Sequence, residues 1–271
     1  FKNSLQMYLL NVKESERLKY SKGITESHFG AGFTYNSLEN HSKEIEHFAI
    51  AEQQKYTQTN HAMQSEINRN IGGSYTELGL YKKAIEKQNK AIALAEKEAQ
   101  RIGAKAFKVD VRDRESFAQF IQNTIQHYGS LYALVNNAGI MPMGAFLDED
   151  PDLADAQIDI NFRGVIIGMQ LALPELLKYK QGHIVNIASL AGRFALPGSA
   201  VYSGTKFAVI GLTEAVAGEF RDSAIQFTAI LPSKVLTELT AGTENAAKTI
   251  PAVTPQQVAD AVVSALIKPR L

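Results

Sequence analysis

The distribution of proline and aspartate constrains the fold of this chain more than any single motif. All eight prolines lie at or after Pro142, and no aspartate precedes Asp110. Proline breaks helix interiors because its ring fixes φ and removes a backbone donor, so the long proline-free part is predicted to be helical. The later part has the proline and glycine punctuation of strands and turns. We therefore expect two segments of different character within 271 residues.

The early segment contains an internal repeat. Shifting the sequence by forty positions aligns seven identical pairs without a gap, namely Gly32/Gly72, Tyr35/Tyr75, Leu38/Leu78, Lys43/Lys83, Ile45/Ile85, Glu46/Glu86 and Ala51/Ala91. Small residues at regular spacing let antiparallel helices approach closely, and an aromatic side chain fills the groove between them. We predict helices near residues 4–20, 24–38, 42–56, 61–78 and 81–102.

In the second copy, Ile71, Gly72, Tyr75, Ala84 and Ala91 have the spacing of a tetratricopeptide repeat. Residues 1–96 resemble the peptide-sensing tetratricopeptide regulators of Gram-positive bacteria, including the response-regulator aspartate phosphatases. The resemblance implies a concave helical surface that binds a peptide or a protein partner. The alternative is a helical scaffold without a ligand, since two repeats are fewer than the three usually needed for stability.

The later segment alternates strands with helices. Short apolar runs predict strands within 104–111, 130–139, 182–192 and 225–233, and helical patterns lie near 114–128, 153–179, 201–221 and 255–267. This alternation implies right-handed crossovers and a parallel sheet. The fold class predicted for the chain is an α-helical, tetratricopeptide-like repeat in residues 1–96, followed by an incomplete, Rossmann-like α/β domain of three layers in residues 97–271.

Tyr202 and Lys206 lie four residues apart in "YSGTK", which places them on one face of a helix. An ammonium group beside a phenol lowers the phenol's pKa and prepares it for proton transfer near neutral pH. On its own this pair most often belongs to an ordinary surface helix. Here it is accompanied by Ser189 after the strand "HIVNIA", by "NNAG" at residues 136–139, by Asn161 in "IDINFRG" and by "LPSKVLT" at residues 231–237.

In order and spacing, these motifs resemble the short-chain dehydrogenase/reductase family over about residues 97–271. The resemblance implies that Tyr202 is the general acid/base, that Ser189 hydrogen-bonds the substrate oxygen, and that Lys206 lowers the pKa of Tyr202 and holds the nicotinamide ribose. It implies that Asn161 anchors a water in the proton relay. The cofactor-binding residues that it implies, besides Tyr202 and Lys206, are Asp110 and Val111 at the adenine, Asn136, Asn137, Ala138 and Gly139 on the adenosine side, and Pro232, Val235 and Thr237 near the nicotinamide.

The family also begins with a strand, a glycine-rich turn and a helix that bind the pyrophosphate, and this sequence shows no such motif. Its glycines at 30, 32, 72 and 73 lie within the helical repeat. The stretch "KAIALAEKEAQRIGAKAFKVDVRD" (90–113) then marks a seam between the two resemblances, as expected for a chimera. The strand within 104–111 is expected either to pair directly with the next strand or to be misplaced, leaving an open apolar edge.

Composition excludes several classes of function. Formal net charge is zero, which does not favour nucleic-acid binding. The absence of cysteine excludes disulfides and thiolate zinc sites, and the six histidines show no metal spacing. The longest apolar run, residues 164–177, is too short to span a bilayer, and no targeting peptide precedes the helices, so we expect no membrane and a cytoplasmic location.

Two classes of function therefore remain, together with a third possibility in which the chain has no evolved function. The first, implied by the resemblance to the dehydrogenases, is an oxidoreductase that interconverts a small-molecule carbonyl and an alcohol with NAD or NADP, and the resemblance also implies a homo-oligomer formed through the helices at 153–179 and 201–221. Its substrate pocket is expected in residues 237–255. The second is a peptide- or protein-binding helical repeat attached to an inert dehydrogenase portion. The third is an engineered or computed chimera with no evolved function.

Overall fold

The computed structural model describes residues 2–36, 38, 40–235 and 252–268. It divides the chain into two compact units, residues 1–108 and residues 109–271. Each unit has an apolar core cluster of its own. Thr237 and most of the stretch 237–255, where the sequence predicts the nicotinamide contact and the substrate pocket, lie outside the described residues.

In the first unit, every regular element of the described residues is a helix. The helices are α1 (Lys2–Arg17), α2 (Ser21–Asn36), α3 (His41–Gln53), the short α4 (Lys55–Gln58), α5 (His61–Glu77) and α6 (Tyr81–Arg101). The five helices predicted from the sequence are confirmed to within three residues at each end. The prediction 42–56 runs too far, because Gln54 adopts an extended conformation that divides α3 from α4.

The core of the first unit is built where α2, α3 and α5 meet. Phe29, Phe48, Ala51, Ile67 and Ile71 form its buried cluster. The glycines of the repeat lie at close helix contacts: a Cβ on Gly32 would be 2.8 Å from the Phe48 ring. A Cβ on Gly72 would be 3.3 Å from the carbonyl oxygen of Ala84 on α6. The repeated glycines therefore permit neighbouring helices to pack at short distance.

The second unit contains a parallel three-stranded sheet of order β1–β2–β3, formed by β1 (Ala133–Asn136), β2 (Gly182–Ile187) and β3 (Ile225–Ile230). The strands alternate with helices, as the sequence predicts for a Rossmann-like fold. These are α7 (Arg114–Tyr128), α8 (Pro151–Ile158), α9 (Gly164–Lys178), α10 (Ala200–Glu219) and α11 (Pro255–Ile267).

The strand predicted within residues 104–111 is wrong. These residues form no strand, although Val109 and Val111 pack against the core while Lys108 and Asp110 are exposed. This alternation is typical of a strand, but a strand also needs a neighbour to satisfy its backbone groups. Among the described residues β1 pairs only with β2, so the expected direct pairing of 104–111 with the next strand does not form.

Helices α8 and α9 are joined by a π-helical turn, Asp159–Arg163, into one helical stretch, Pro151–Lys178. At 28 residues this stretch is long and apolar enough to cross a membrane by length and composition alone. Its length therefore does not exclude a membrane span, contrary to the argument from the apolar run 164–177. One face of α9 is buried in the core of the second unit through Val165, Ile167, Leu173 and Leu176, as expected for a core helix.

Candidate active site

The candidate site lies where the three parallel strands end. Because parallel strands share a direction, their carboxyl ends meet at one edge of the sheet, which is where ligands bind in open α/β folds. Two backbone hydrogen bonds fix the loops there: Ala188 N donates to Ile230 O at 2.8 Å, and Leu190 N donates to Pro232 O at 2.9 Å. These bonds place Ser189 beside Pro232, as expected for residues of one site.

Ser189 and Tyr202 are brought together at this edge. Ser189 caps a short 3₁₀ turn, Leu190–Gly192, and its Oγ accepts a hydrogen bond from Ala191 N at 3.1 Å. Tyr202 lies in the first turn of α10 and is only 4% exposed. Burial raises the pKa of the Tyr202 phenol, and a side-chain hydrogen bond with Ser189 acts in the opposite direction. The phenol is therefore a neutral donor at physiological pH.

Lys206 lies one helical turn after Tyr202, with its ammonium 5.6 Å from the centroid of the tyrosine ring. Its Nζ donates to Ile187 O at the end of β2 at 2.9 Å. Burial lowers the pKa of Lys206 to about 8. The expected lowering of the pKa of Tyr202 by Lys206 does not appear in this geometry, because the ammonium is directed to the strand carbonyl and burial of the phenol has the larger effect.

Asn161 lies in the π-helical turn and is fully buried. Its Oδ1 accepts from Ile140 N and its Nδ2 donates to Ile140 O, both at 2.8 Å. The Nδ2 also donates to Thr205 Oγ1 at 3.3 Å. The side chain therefore holds the loop after β1 against α10. Single-turn π segments are frequent at functional sites, because the extra residue redirects a side chain.

Gly139 completes this part of the site. A Cβ at this position would lie 3.2 Å from Asn161 Oδ1 and 3.7 Å from Lys206 Nζ. The glycine thus leaves space directly beside the ammonium and the buried amide. The structure brings Gly139, Asn161 and Lys206 together, as the sequence predicts.

A second group of predicted residues lines a cavity of about 290 Å³ beside β1. Val111, Asn137 and Ala138 are among its lining residues. Asp110 is not: it is exposed and forms an ion pair with Arg112 at 2.8 Å. Hydrogen bonds from Arg112 hold the pKa of the Asp110 carboxyl below its usual range. Val235 follows Pro232 by three residues and forms an isolated parallel β-bridge with Val253.

A buried polar chain behind the site was not predicted. Asn136 Nδ2 donates to Asn186 Oδ1, and Asn186 Nδ2 donates to Thr213 Oγ1, each at 2.8 Å. Asn136 and Asn186 are register partners on β1 and β2, so these bonds tie the strand ends to α10. The sequence signal was a polar residue inside the apolar strand "HIVNIA". Thr205 was also missed, although its Oγ1 links Asn161 to the carbonyl of Tyr202.

The described residues fit part of a nicotinamide dinucleotide. The space beside Gly139 and Lys206 suits a ribose hydroxyl, and the part of the cavity lined by Val111, Asn137 and Ala138 suits an uncharged ring system. A pyrophosphate is held by backbone N–H groups in a glycine-rich turn between a strand and a helix. No such turn is present among the described residues, in which the first strand is β1. Nor do they contain a group of three or more histidine, aspartate or glutamate side chains placed to hold a metal ion.

A parallel sheet with crossing helices, and a serine, tyrosine and lysine at its carboxyl edge, define the class of Rossmann-like oxidoreductases. Residues 63–248 match the family model for short chain dehydrogenases, which is more than half of the chain. The chain belongs to the short-chain dehydrogenase family. The match begins within α5, earlier than the resemblance at about residue 97 predicted from the motifs.

Several relatives are similar over shorter stretches. An uncharacterized oxidoreductase of Staphylococcus saprophyticus is 40% identical over 135 residues, covering 49% of this chain and 55% of that protein. An uncharacterized oxidoreductase of Staphylococcus epidermidis is 32% identical over 197 residues, covering 69% and 84%. The Escherichia coli oxidoreductase UcpA is 41% identical over 135 residues, covering 49% and 51%. The chain thus spans about half the length of the first and third of these proteins.

Among solved structures, ElxO with NADP bound is similar at a TM-score of 0.52 and 32% sequence identity. The similarity covers 60% of this chain and 65% of the ElxO chain. It supports the Rossmann-like architecture of the second unit.

Proposed function

We propose that this protein is an NAD- or NADP-dependent oxidoreductase that interconverts a carbonyl compound and an alcohol. The observation that carries the proposal is the convergence of the Ser189 and Tyr202 side chains at the carboxyl edge of the sheet, with Lys206 buried one turn away. Two hydroxyl groups that converge at the carboxyl edge of a parallel sheet suit a single substrate oxygen.

The chemistry assigned to the chain's own residues is proton transfer. In the direction of reduction, the Tyr202 hydroxyl gives its proton to the carbonyl oxygen, and its raised pKa keeps that proton in place at neutral pH. The Ser189 hydroxyl donates a hydrogen bond to the same oxygen as negative charge develops there. The buried ammonium of Lys206 adds positive potential at the site while its pKa of about 8 keeps it mostly charged at pH 7.

The cofactor class is supported by the family and by ElxO, whose structure holds NADP. When bound, the dinucleotide supplies or accepts the hydride. Lys206 and the space at Gly139 would hold its nicotinamide ribose, and Val111, Asn137 and Ala138 its adenosine half. Calorimetric titration of the purified chain with NADPH, and separately with NADH, tests this assignment. We expect saturable binding of at least one, and no heat of binding at millimolar cofactor would contradict it.

Replacement of the catalytic phenol tests the mechanism. We expect Tyr202→Phe to reduce carbonyl turnover by at least about a hundredfold, since general acid catalysis contributes roughly 10²–10⁴-fold. Cofactor affinity and melting temperature should change little, because the buried ring remains. Tyr132→Phe is the matched control, since Tyr132 is 56% exposed and precedes β1 at its amino end, opposite the carboxyl ends that carry the site. Equal turnover in Tyr202→Phe and the unmodified protein would refute the assigned role.

A second function, binding of a peptide by the helical unit, is favoured by one observation. Asn68 on α5 is fully buried, yet its Oδ1 has no hydrogen-bond partner among the described residues. Its Nδ2 donates to Glu52 on α3 at 2.9 Å. We propose that the tetratricopeptide-like repeat predicted for residues 1–96 binds a peptide whose backbone N–H reaches Asn68 Oδ1 when α3 and α5 move apart, because this oxygen is enclosed in the unbound unit. A library of linear peptides screened against the chain and Asn68→Ala tests it, with binding lost in the variant. A chimera without evolved function would bind neither peptide nor dinucleotide.

A further inference from the structure

The outer edge of β1 carries free backbone groups. His183 N donates to Tyr132 O at 3.1 Å, so Tyr132, Leu134 and Asn136 direct their backbone groups towards β2. In a parallel ladder alternate residues face opposite edges, and Ala133 and Val135 therefore point away from β2. Among the described residues no hydrogen bond reaches the N–H or C=O groups of these two residues. Such an edge is a template for a further strand.

This free edge faces the cavity of about 290 Å³. Ala133 and Val135 of the edge are among its lining residues, together with Val109 and Val111. No charged side chain lines it, and the lining residues with polar side chains are Thr124, Asn136 and Asn137. The walls are therefore apolar, while the edge itself offers backbone donors and acceptors.

We propose that the β1 edge and its cavity form a docking site for an extended, uncharged and mainly apolar segment of a partner polypeptide, which pairs with β1 as an added strand. Two features of the site select this occupant. Donors and acceptors spaced two residues apart along β1 match the backbone of an extended peptide, whose main-chain hydrogen bonds supply affinity. The uncharged walls accept apolar side chains that alternate along it and disfavour charged ones. The cavity is also the one to which the adenosine half of the dinucleotide is assigned at Val111, Asn137 and Ala138, so the docked peptide and the dinucleotide are expected to compete.

A peptide with the sequence of residues 181–188, QGHIVNIA, is a suitable probe because the same sequence pairs in parallel with β1 through its opposite edge. We expect the fluorescently labelled peptide to bind the full chain saturably at concentrations up to about 1 mM. A version N-methylated at alternate residues on its pairing edge should bind at least tenfold more weakly. An alternating apolar and glutamate peptide of equal length should not bind.

Val135→Pro blocks the edge within the protein. Proline removes the outward N–H of residue 135 without removing a bond to β2, which is the position that proline tolerates in an edge strand. We expect at least a tenfold loss of peptide affinity in Val135→Pro and an unchanged affinity in Tyr132→Phe, because the Tyr132 side chain is 56% exposed and does not line the cavity. Hydrogen exchange of β2 and β3 amides reports whether Val135→Pro keeps its sheet. If the sheet of this variant is lost, the comparison of the unmodified and N-methylated peptides on the unmodified chain still tests the proposal.

Three results would overturn the proposal. The first is the absence of saturable binding of the unmodified peptide. The second is equal binding of the unmodified and N-methylated peptides, which would show that the cavity takes apolar groups without strand pairing. The third is a concentration-dependent dimer that Val135→Pro abolishes, which would assign the edge to a second copy of this chain.

Discussion

At the scale of single residues, Gly192 is the position in the candidate site where a side chain would collide with backbone atoms. A Cβ at this position would lie 2.7 Å from the carbonyl carbon and oxygen of Lys206 on α10. Because backbone atoms cannot move aside as a flexible side chain does, we expect Gly192→Ala to displace the turn that carries Ser189. The loss of unfolding free energy should be about 1–3 kcal/mol, as is usual for overpacking. Urea denaturation followed by circular dichroism measures it.

Gly211 on the same helix provides the control. A Cβ there would meet no atom within 4 Å, and the residue lies inside α10. Gly211→Ala should therefore raise stability by about 0.5–1 kcal/mol, because alanine favours the helix. If Gly192→Ala were as stable as Gly211→Ala, the close approach of the Ser189 turn to Lys206 would be wrong.

The site residues that the sequence identified share one property: each could be recognised from its spacing relative to other residues in the chain. Tyr202 and Lys206 lie on one helical face, and Ser189 follows a strand, so each could be found without a three-dimensional structure. Asn186, Thr205 and Thr213 could not, because their roles arise from hydrogen bonds between elements that are 27 to 50 residues apart in sequence. The effect of Lys206 on Tyr202 also depended on where the ammonium points.

At the scale of elements, the helix boundaries and three of the four predicted strands could be identified from the sequence, whereas the failure of residues 104–111 to form a strand could not. Helix α7 follows from local signals alone, since Asp113 caps its start and Gly129 ends it in the left-handed conformation. A strand depends on a partner that may be distant in sequence. Residues 104–111 show this dependence, because Val109 and Val111 keep strand-like burial without forming a strand.

Helices α2 and α3 are joined by a buried pair of histidines that makes the first unit sensitive to acid. His28 Nδ1 and His47 Nδ1 lie 3.0 Å apart, so one ring donates and the other accepts a single proton. Burial lowers the pKa of both histidines, and burial together with the charge of His28 lowers that of His47 to about 4. The facing charges are Glu16 on α1 and Glu46 on α3, which favour protonation, and Lys43 on α3, which opposes it.

Because both pKa values are lower in the folded state, the unfolded chain binds more protons below about pH 6.5. Stability of the first unit is therefore fully present above that pH and decreases as pH falls towards 4. His47→Phe retains an apolar ring but cannot be protonated. We expect it to make the loss of unfolding free energy between pH 7 and pH 5 smaller by on the order of 2 kcal/mol. Hydrogen exchange of α2 and α3 amides at pH 7 and pH 5 measures it. His127→Gln, at an exposed histidine, is the control and should leave the pH dependence unchanged. An unchanged pH dependence in His47→Phe would contradict the assignment of the acid sensitivity to the pair of His28 and His47.

At the scale of the whole molecule, the composition break in the sequence corresponds to two separate apolar clusters. The cluster in the first unit is centred on Phe29, Phe48 and Ile67. That in the second unit lies between the sheet and its helices, with Leu176 and Ile184 fully buried. A residue in one cluster contributes its buried area to one unit only, so truncations in the two clusters are expected to act locally.

We expect Phe48→Ala to destabilise the first unit by about 3–5 kcal/mol and Ile184→Ala the second by about 2–5 kcal/mol, through lost burial and the cavity left behind. Hydrogen exchange with mass spectrometry should show faster exchange in α2, α3 and α5 for Phe48→Ala, and in β2 with its neighbouring strands for Ile184→Ala. Val135→Thr, at an edge position that is 38% exposed, should leave both patterns nearly unchanged. Faster exchange throughout the chain in either core variant would show that the two units unfold as one cooperative structure, and that two separate cores do not give two separate folding units.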